Sequence, residues 1–135
     1  MSHKYSLDTN IVSELLRNPH GRLAQKVARV GETNVTVSII VAAELKFGAN
    51  KKGNASLAAQ IGGLLGLIDV IPLDLPSDDA YGKLRTALER AGTPIGANDM
   101  LIAAQALTLG LIMVTDNVRE FSRVQGLKIE NWLRP

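Results

Sequence analysis

The sequence predicts an α/β domain built around a mostly parallel sheet. Short β-branched runs alternate with longer helical patterns from end to end, the helical patterns are bounded by cap and stop residues, and two of the strands run directly into an aspartate. With 135 residues and 46% apolar content, the chain has material for one hydrophobic core, and residues 1–135 are read as a single domain.

The elements follow in order. Lys4 to Asp8 reads as the first strand, followed by helical patterns at Asn10 to Leu16 and Arg22 to Val30. Asn34 to Val37 is the second strand, and Ser38 after it is a suitable N-cap for a helix from Ile39 to a stop at Gly48. A helix over Ala55 to Leu67 contains Gly62-Gly63-Leu64-Leu65-Gly66, read as a close-packed helix end, and leads to a third strand at Val70 to Pro72. Ser77 then caps a helix over Asp78 to Ala91 that stops at Gly92, and Gly92-Thr93-Pro94-Ile95-Gly96 forms a loop. The helix from Asp99 to Leu109 is apolar after its first residue except for Gln105 and Thr108, which marks it as buried, and Gly110 ends it. Leu111 to Thr115 is the fourth strand and Leu127 to Glu130 a weaker fifth.

Four acids stand out against this pattern: Asp8 and Asp116 immediately after strands, Asp99 at a helix start, and Glu44 inside an apolar helix. Three have ordinary structural uses. Asp8-Thr9-Asn10 suits an Asx-turn or N-cap, Asp116-Asn117 suits a turn, and Asp99 is favoured by the helix macrodipole. Glu44 has no such use, because its face carries Val37, Ile40, Val41 and Phe47 while Lys46 and Asn50 lie on another side. A carboxylate taken out of water costs several kcal/mol or more unless it is paired, so Glu44 points to a site. In open parallel sheets ligands bind beyond the carboxyl ends of the strands, which puts Asp8 and Asp116 on the same edge. Carboxylates without His or Cys partners favour the hard cations Mg²⁺ or Mn²⁺ over zinc.

Composition narrows the chemistry further. The absence of cysteine removes disulfides, thiolate nucleophiles and cysteine–zinc sites and is compatible with a reducing cytoplasm. With only His3 and His20, both expected at the surface, a pair of histidines has little scope as acid and base, so a water activated by the cation must serve instead. No Walker A loop, dinucleotide glycine fingerprint or Gly-x-Ser-x-Gly elbow is present. The start of the chain has no apolar signal core and no stretch is long enough to span a membrane, so a soluble protein is expected. Net charge is +2, but with four acids gathered in a pocket the remaining nine face fifteen bases, a framing suited to a polyanion. Arg85, Arg119 and Arg123 are within the repertoire for phosphate contact, with solvated salt bridging as their ordinary role, and Trp132 is expected to pack against the body.

Leu7-Asp8-Thr9-Asn10, Ser38 with Ala43-Glu44-Leu45-Lys46-Phe47-Gly48, Gly92 to Asp99 with Ile102-Ala103-Ala104, and Val114-Thr115-Asp116-Asn117 with Phe121 occur in an order that closely resembles PIN-domain ribonucleases of the VapC toxin type. The likeness extends to the segment Gly126 to Trp132. It implies a PIN-like three-layer α/β/α domain in which Asp8, Glu44, Asp99 and Asp116 are catalytic and hold one or two Mg²⁺ or Mn²⁺ ions. Asn10 and Thr115 would be supporting residues, and Glu120 stands where some members carry a further acid. The resemblance implies an endoribonuclease toxin that cuts RNA, such as tRNA, in a loop, is neutralised by a cognate antitoxin, forms a homodimer, works in the cytoplasm, and meets DNA only through the antitoxin. Two other readings stay open at this point: a binding module acting through a partner, and a receiver-like phosphoacceptor. The latter would need an aspartate such as Asp74 as acceptor and a lysine after a late strand, where Lys128 is poorly placed.

Overall fold

The computed structural model describes residues 3–134. Its elements are β1 (Tyr5–Leu7), α1 (Thr9–Arg17), α2 (Arg22–Val30), a 3₁₀ turn (Glu32–Asn34), β2 (Val35–Ser38), α3 (Ile39–Lys52), α4 (Ala55–Leu65), β3 (Asp69–Ile71), α5 (Ser77–Arg90), α6 (Ala97–Leu109), β4 (Ile112–Val114), α7 (Val118–Phe121) and β5 (Ile129–Glu130). The strands form one sheet in the order β3-β2-β1-β4-β5, and every pairing is parallel. Helices flank this sheet, giving the expected α/β/α architecture.

The strand order positions the site. The chain steps outward from β1 through β2 to β3, then returns to lay β4 against the other side of β1. Connections leaving β1 and β4 therefore diverge, and a crevice opens between them at the carboxyl edge of the sheet. Leu7 pairs with Val114 at the ends of these strands. Asp8 and Thr115 are the next residues on each.

The central strands are buried, as a sheet covered on both faces requires. Leu7, Val35, Val37, Met113 and Val114 are fully inaccessible, packed with Ile11 of α1, Ile102 and Ala103 of α6, and Phe121 of α7. Buried polar groups are paired: Thr36 Oγ1 donates to the Tyr5 carbonyl at 3.0 Å, and Gln105 Nε2 donates to the carbonyls of Ile71 and Pro72 at 3.1 and 3.0 Å. Gln105, a polar exception in the apolar pattern of α6, thus ties that helix to the end of β3. Trp132 packs edge-on against Tyr5 with ring centroids 4.9 Å apart, as expected.

Several local expectations need correction. Helix α3 continues through Gly48 to Lys52, because the left-handed position that ends it is supplied by Gly53 at φ 62°. Ser77 is the first helical residue rather than a side-chain cap. Gly62 and Gly63 face open space, so that helix end is not close-packed. The short helix α7 and the 3₁₀ turn lack the length that gives a legible period. By contrast, Ser38 does cap α3, accepting the Ile40 N–H at 3.1 Å, and Gly110 ends α6 at φ 67°.

Candidate active site

Asp8 is fixed by the ends of β1 and β4. Its backbone N–H donates to the Val114 carbonyl at 2.9 Å, continuing the ladder one residue beyond the strand. Its carboxylate caps α1, with Oδ1 accepting the Thr9 N–H at 2.8 Å, while Oδ2 accepts the Thr115 hydroxyl at 2.7 Å. Only 6% of Asp8 is exposed. Burial raises its pKa despite the bonds to Thr115 and Thr9, and Glu44 adds to the rise. Asp8 thus caps α1 and at the same time lines the cleft beside Thr9 and Asn10.

Thr115 is inaccessible and acts as a hinge pin. Besides donating to Asp8, its Oγ1 accepts the Asn117 N–H at 2.9 Å, which sets the turn carrying Asp116.

Glu44 is half-buried on α3, with Oε1 accepting the Thr9 hydroxyl at 2.7 Å and Oε2 facing Asn98 Nδ2 at 3.4 Å. Its expected apolar face holds only in part: Val41 is buried and Ile40 partly so, but Val37 belongs to β2 and Phe47 is 66% exposed. Asp99 is the third residue of α6, where the dipole favours an anion. A Cβ on Gly96 would lie 3.2 Å from Asp99 Oδ2, so glycine there leaves room for the carboxylate over the helix start. The Asp99 pKa is pushed up to about 6, first by burial, then by Asp8, Glu44 and Glu120.

Asp116 differs. Its Oδ1 accepts Asn131 Nδ2 at 3.0 Å and Arg134 Nε at 2.9 Å, and these bonds hold its carboxyl below the usual carboxylate range.

Asp8, Glu44, Asp99 and Asp116 line one cleft of about 610 Å³ together with Thr9, Asn10, Ser13, Arg17 and Asn117. The four acids and Asn10 thus face a shared space. Thr115 supports it from behind. Arg85 lies apart on α5, bonded to Glu89 and Tyr81, and Arg123 donates to the Pro94 carbonyl. Asp74 lines a different groove with Leu73 and Leu75, which removes the footing of the phosphoacceptor reading. Sequence reasoning gave no site role to Thr9, Arg17, Asn98, Asn117, Asn131 and Arg134. Thr9 and Asn98 reach Glu44, and Asn131 and Arg134 reach Asp116, only through tertiary contacts, while Arg17 and Asn117 are ordinary polar residues of the cleft lining.

The donor set is oxygen throughout, with acids crowded closely enough to raise one another's pKa, which suits a hard divalent cation. Among the described residues, no group of three or more acidic or histidine side chains is gathered as a metal-ligating cluster. Most are held instead by donors of the protein itself: Asp8 by Thr9 and Thr115, Glu44 by Thr9, and Asp116 by Asn131 and Arg134.

Comparison with known proteins agrees with this architecture. Residues 5–127 match the PIN domain family. The chain is 35% identical over 130 residues to the tRNA(fMet)-specific endonuclease VapC of Shigella flexneri, covering 96% of this chain and 98% of the relative. It is likewise 35% identical over 130 residues to the ribonuclease VapC2 of Rickettsia felis, with 95% and 97% covered. Among solved structures, VapBC2 from Rickettsia felis bound to a promoter DNA fragment superposes with a TM-score of 0.89 at 33% identity, covering 95% of this chain and 98% of that one. DNA-bound VapBC from Salmonella typhimurium gives 0.90 at 32%, with 96% and 98% covered. The chain belongs to the PIN-domain family, among its VapC-type ribonucleases.

Proposed function

We propose that this chain is the toxin of a toxin–antitoxin pair, a single-domain endoribonuclease whose cleavage of RNA depends on Mg²⁺ or Mn²⁺. The observation that carries the reading is the meeting of Asp8, Glu44, Asp99 and Asp116, from four separate stretches of chain, in one cleft that no histidine or cysteine lines. Asp8 and Asp99 would hold the cation most directly, with Glu44 and Asp116 completing its surroundings. When bound, the cation supplies polarisation of a phosphate oxygen and activation of a water at neutral pH.

The protein's own part is to orient and to discriminate. Thr115 and Thr9 fix the two oxygens of Asp8, and Thr9 also turns Glu44 toward the same space. Left alone, the acids repel a phosphodiester. Arg17, the one basic side chain among the residues lining the cleft, is paired with Glu14 at 3.0 Å and would exchange that partner for RNA backbone phosphate.

Named relatives support the finer assignments. Structures of VapBC complexes, two of them bound to DNA, support a cognate antitoxin that neutralises this chain and carries any contact with DNA. The tRNA(fMet)-specific relative supports a loop of tRNA, or of another structured RNA, as substrate, and the work would be done in the cytoplasm. A homodimer is favoured by the apolar groove of about 370 Å³ lined by Leu73, Leu75, Tyr81 and Leu101, where Leu75 is 76% exposed. No helix among the described residues is long and apolar enough to cross a membrane.

The test is cleavage of labelled RNA by protein freed of its antitoxin. Cutting in Mg²⁺ that ceases in excess EDTA and in Asp8→Asn is expected. Equal cutting in EDTA refutes the metal mechanism, and retained growth inhibition by Asp8→Asn would instead favour a module that acts by binding. Light scattering of wild type and Leu75→Glu checks the dimer, which the charge should disrupt.

A further inference from the structure

We infer that Arg134 is a positioning residue for Asp116 which, with Asn131, holds that carboxylate by one oxygen and restrains how tightly the cleft takes a divalent cation. Both bonds fall on Oδ1, from Asn131 Nδ2 at 3.0 Å and Arg134 Nε at 2.9 Å, and neither engages Oδ2. The segment that delivers them is anchored. Val114 pairs with Glu130 across β4 and β5, Asn131 Oδ1 accepts the Leu133 N–H at 3.0 Å, and Trp132 donates Nε1 to Glu130 at 2.8 Å while packing on Tyr5. Asn131 is thus held at both ends of its amide. The Arg134 side chain, in contrast, is 77% exposed and meets Asp116 at the outer edge of the cleft.

The division of labour follows from charge. Asn131 is neutral and orients Asp116 without affecting its attraction for a cation through charge. Arg134 carries a full positive charge beside the carboxylate, so a divalent ion approaching Asp116 meets repulsion as well as attraction. Solvent and salt weaken this repulsion at an exposed pair, which makes the effect a modest one.

The inference rests on reading the cleft as a cation site, and Mn²⁺ titration of the full chain followed by calorimetry tests both separately. At low salt, Arg134→Gln is expected to bind Mn²⁺ about threefold to fivefold more tightly than wild type, the range that an exposed ion pair allows. Arg134→Lys, which keeps the charge, is expected to match wild type, and the difference is expected to vanish in about 0.5 M KCl, where charges are screened within a few ångströms. Unchanged or weaker binding by Arg134→Gln at low salt, with wild type still binding better than Asp8→Asn, overturns the role of Arg134 and leaves the cation site standing. Wild type binding no better than Asp8→Asn overturns both. A thermal melt of Arg134→Gln equal to that of wild type is expected, and a large loss of stability would mark Arg134 as structural and overturn the inference.

Discussion

The inner wall and the outer rim of the cleft solve the same problem in opposite ways. On the inner wall, Asp8 and Asp99 are taken partly out of water and crowded by other acids, so their carboxyls titrate higher than usual. On the rim, Asp116 lies nearer solvent and is offset by Asn131 and Arg134, so its carboxyl titrates lower. The inner acids store a repulsion that a divalent cation would relieve, whereas the rim acid already has a cation of the protein's own. The difference teaches that these acids are not equivalent, even though each follows or opens a secondary-structure element in a similar way.

The largest expected effect is therefore on the inner wall. Asp8→Asn and Asp99→Asn should each lower kcat/KM for RNA cleavage about a thousandfold or more, since metal polarisation is worth several kcal/mol of transition-state stabilisation. Single-turnover cleavage at fixed Mg²⁺ measures this, and a loss smaller than that of Asp116→Asn would erase the distinction between wall and rim. Next is Thr115→Val. It removes a buried hydroxyl that serves both Asp8 and Asn117, and should lower activity about tenfold to a hundredfold and cost about 1–3 kcal/mol in chemical denaturation. Asp116→Asn should follow, at about tenfold in activity with little change in the melt.

A smaller effect sharpens the comparison through pH. Asp99, pushed up to about 6, and Asp8, also raised, hold protons in the folded protein that the unfolded chain has already released. Their contribution to stability is present below the ordinary carboxylate range near 3.8 and is lost as pH rises through the folded values. Asp116, with a lowered pKa, has the opposite sign and loses its contribution as pH falls, but its exposure keeps that share small. Metal-free wild type in EDTA should thus show a melting temperature that falls by a few degrees between about pH 5 and 7, and Asp99→Asn should flatten that fall. A melting temperature that rises equally in both proteins over this range would contradict the crowding of the inner wall.

Much of this geometry was legible in the sequence because it rests on local periodicity. Helix α2 has the expected bounds, and each expected strand is present: β1, β4 and β5 are shorter than expected, while β2 and β3 keep their length and are shifted by one residue. Asp8 and Asp116 could be assigned to one edge because both follow strands, and the reversal of strand order between β1 and β4 turns that edge into a crevice. What could not be read was the partnering. Nothing in the spacing of Asn131 and Arg134 ties them to Asp116, fifteen and eighteen residues earlier, because the link runs through pairing of β5 with β4. The glycine stop of α3 was misplaced for a related reason: Gly48 and Gly53 look alike in sequence, and the helix ends where the left-handed turn actually forms. Around Glu44 the apolar face expected from helical spacing is incomplete, since Phe47 faces solvent, while the carboxylate itself is held by the Thr9 hydroxyl.

The most direct test of the central claim is anomalous diffraction from crystals of this protein soaked in Mn²⁺. The account predicts a peak in the cleft with carboxylate oxygens of Asp8 and Asp99 at about 2.2 Å, the range for a hard divalent cation on oxygen. A cleft without a peak at saturating Mn²⁺, or a peak bound only at the rim by Asp116, would contradict it.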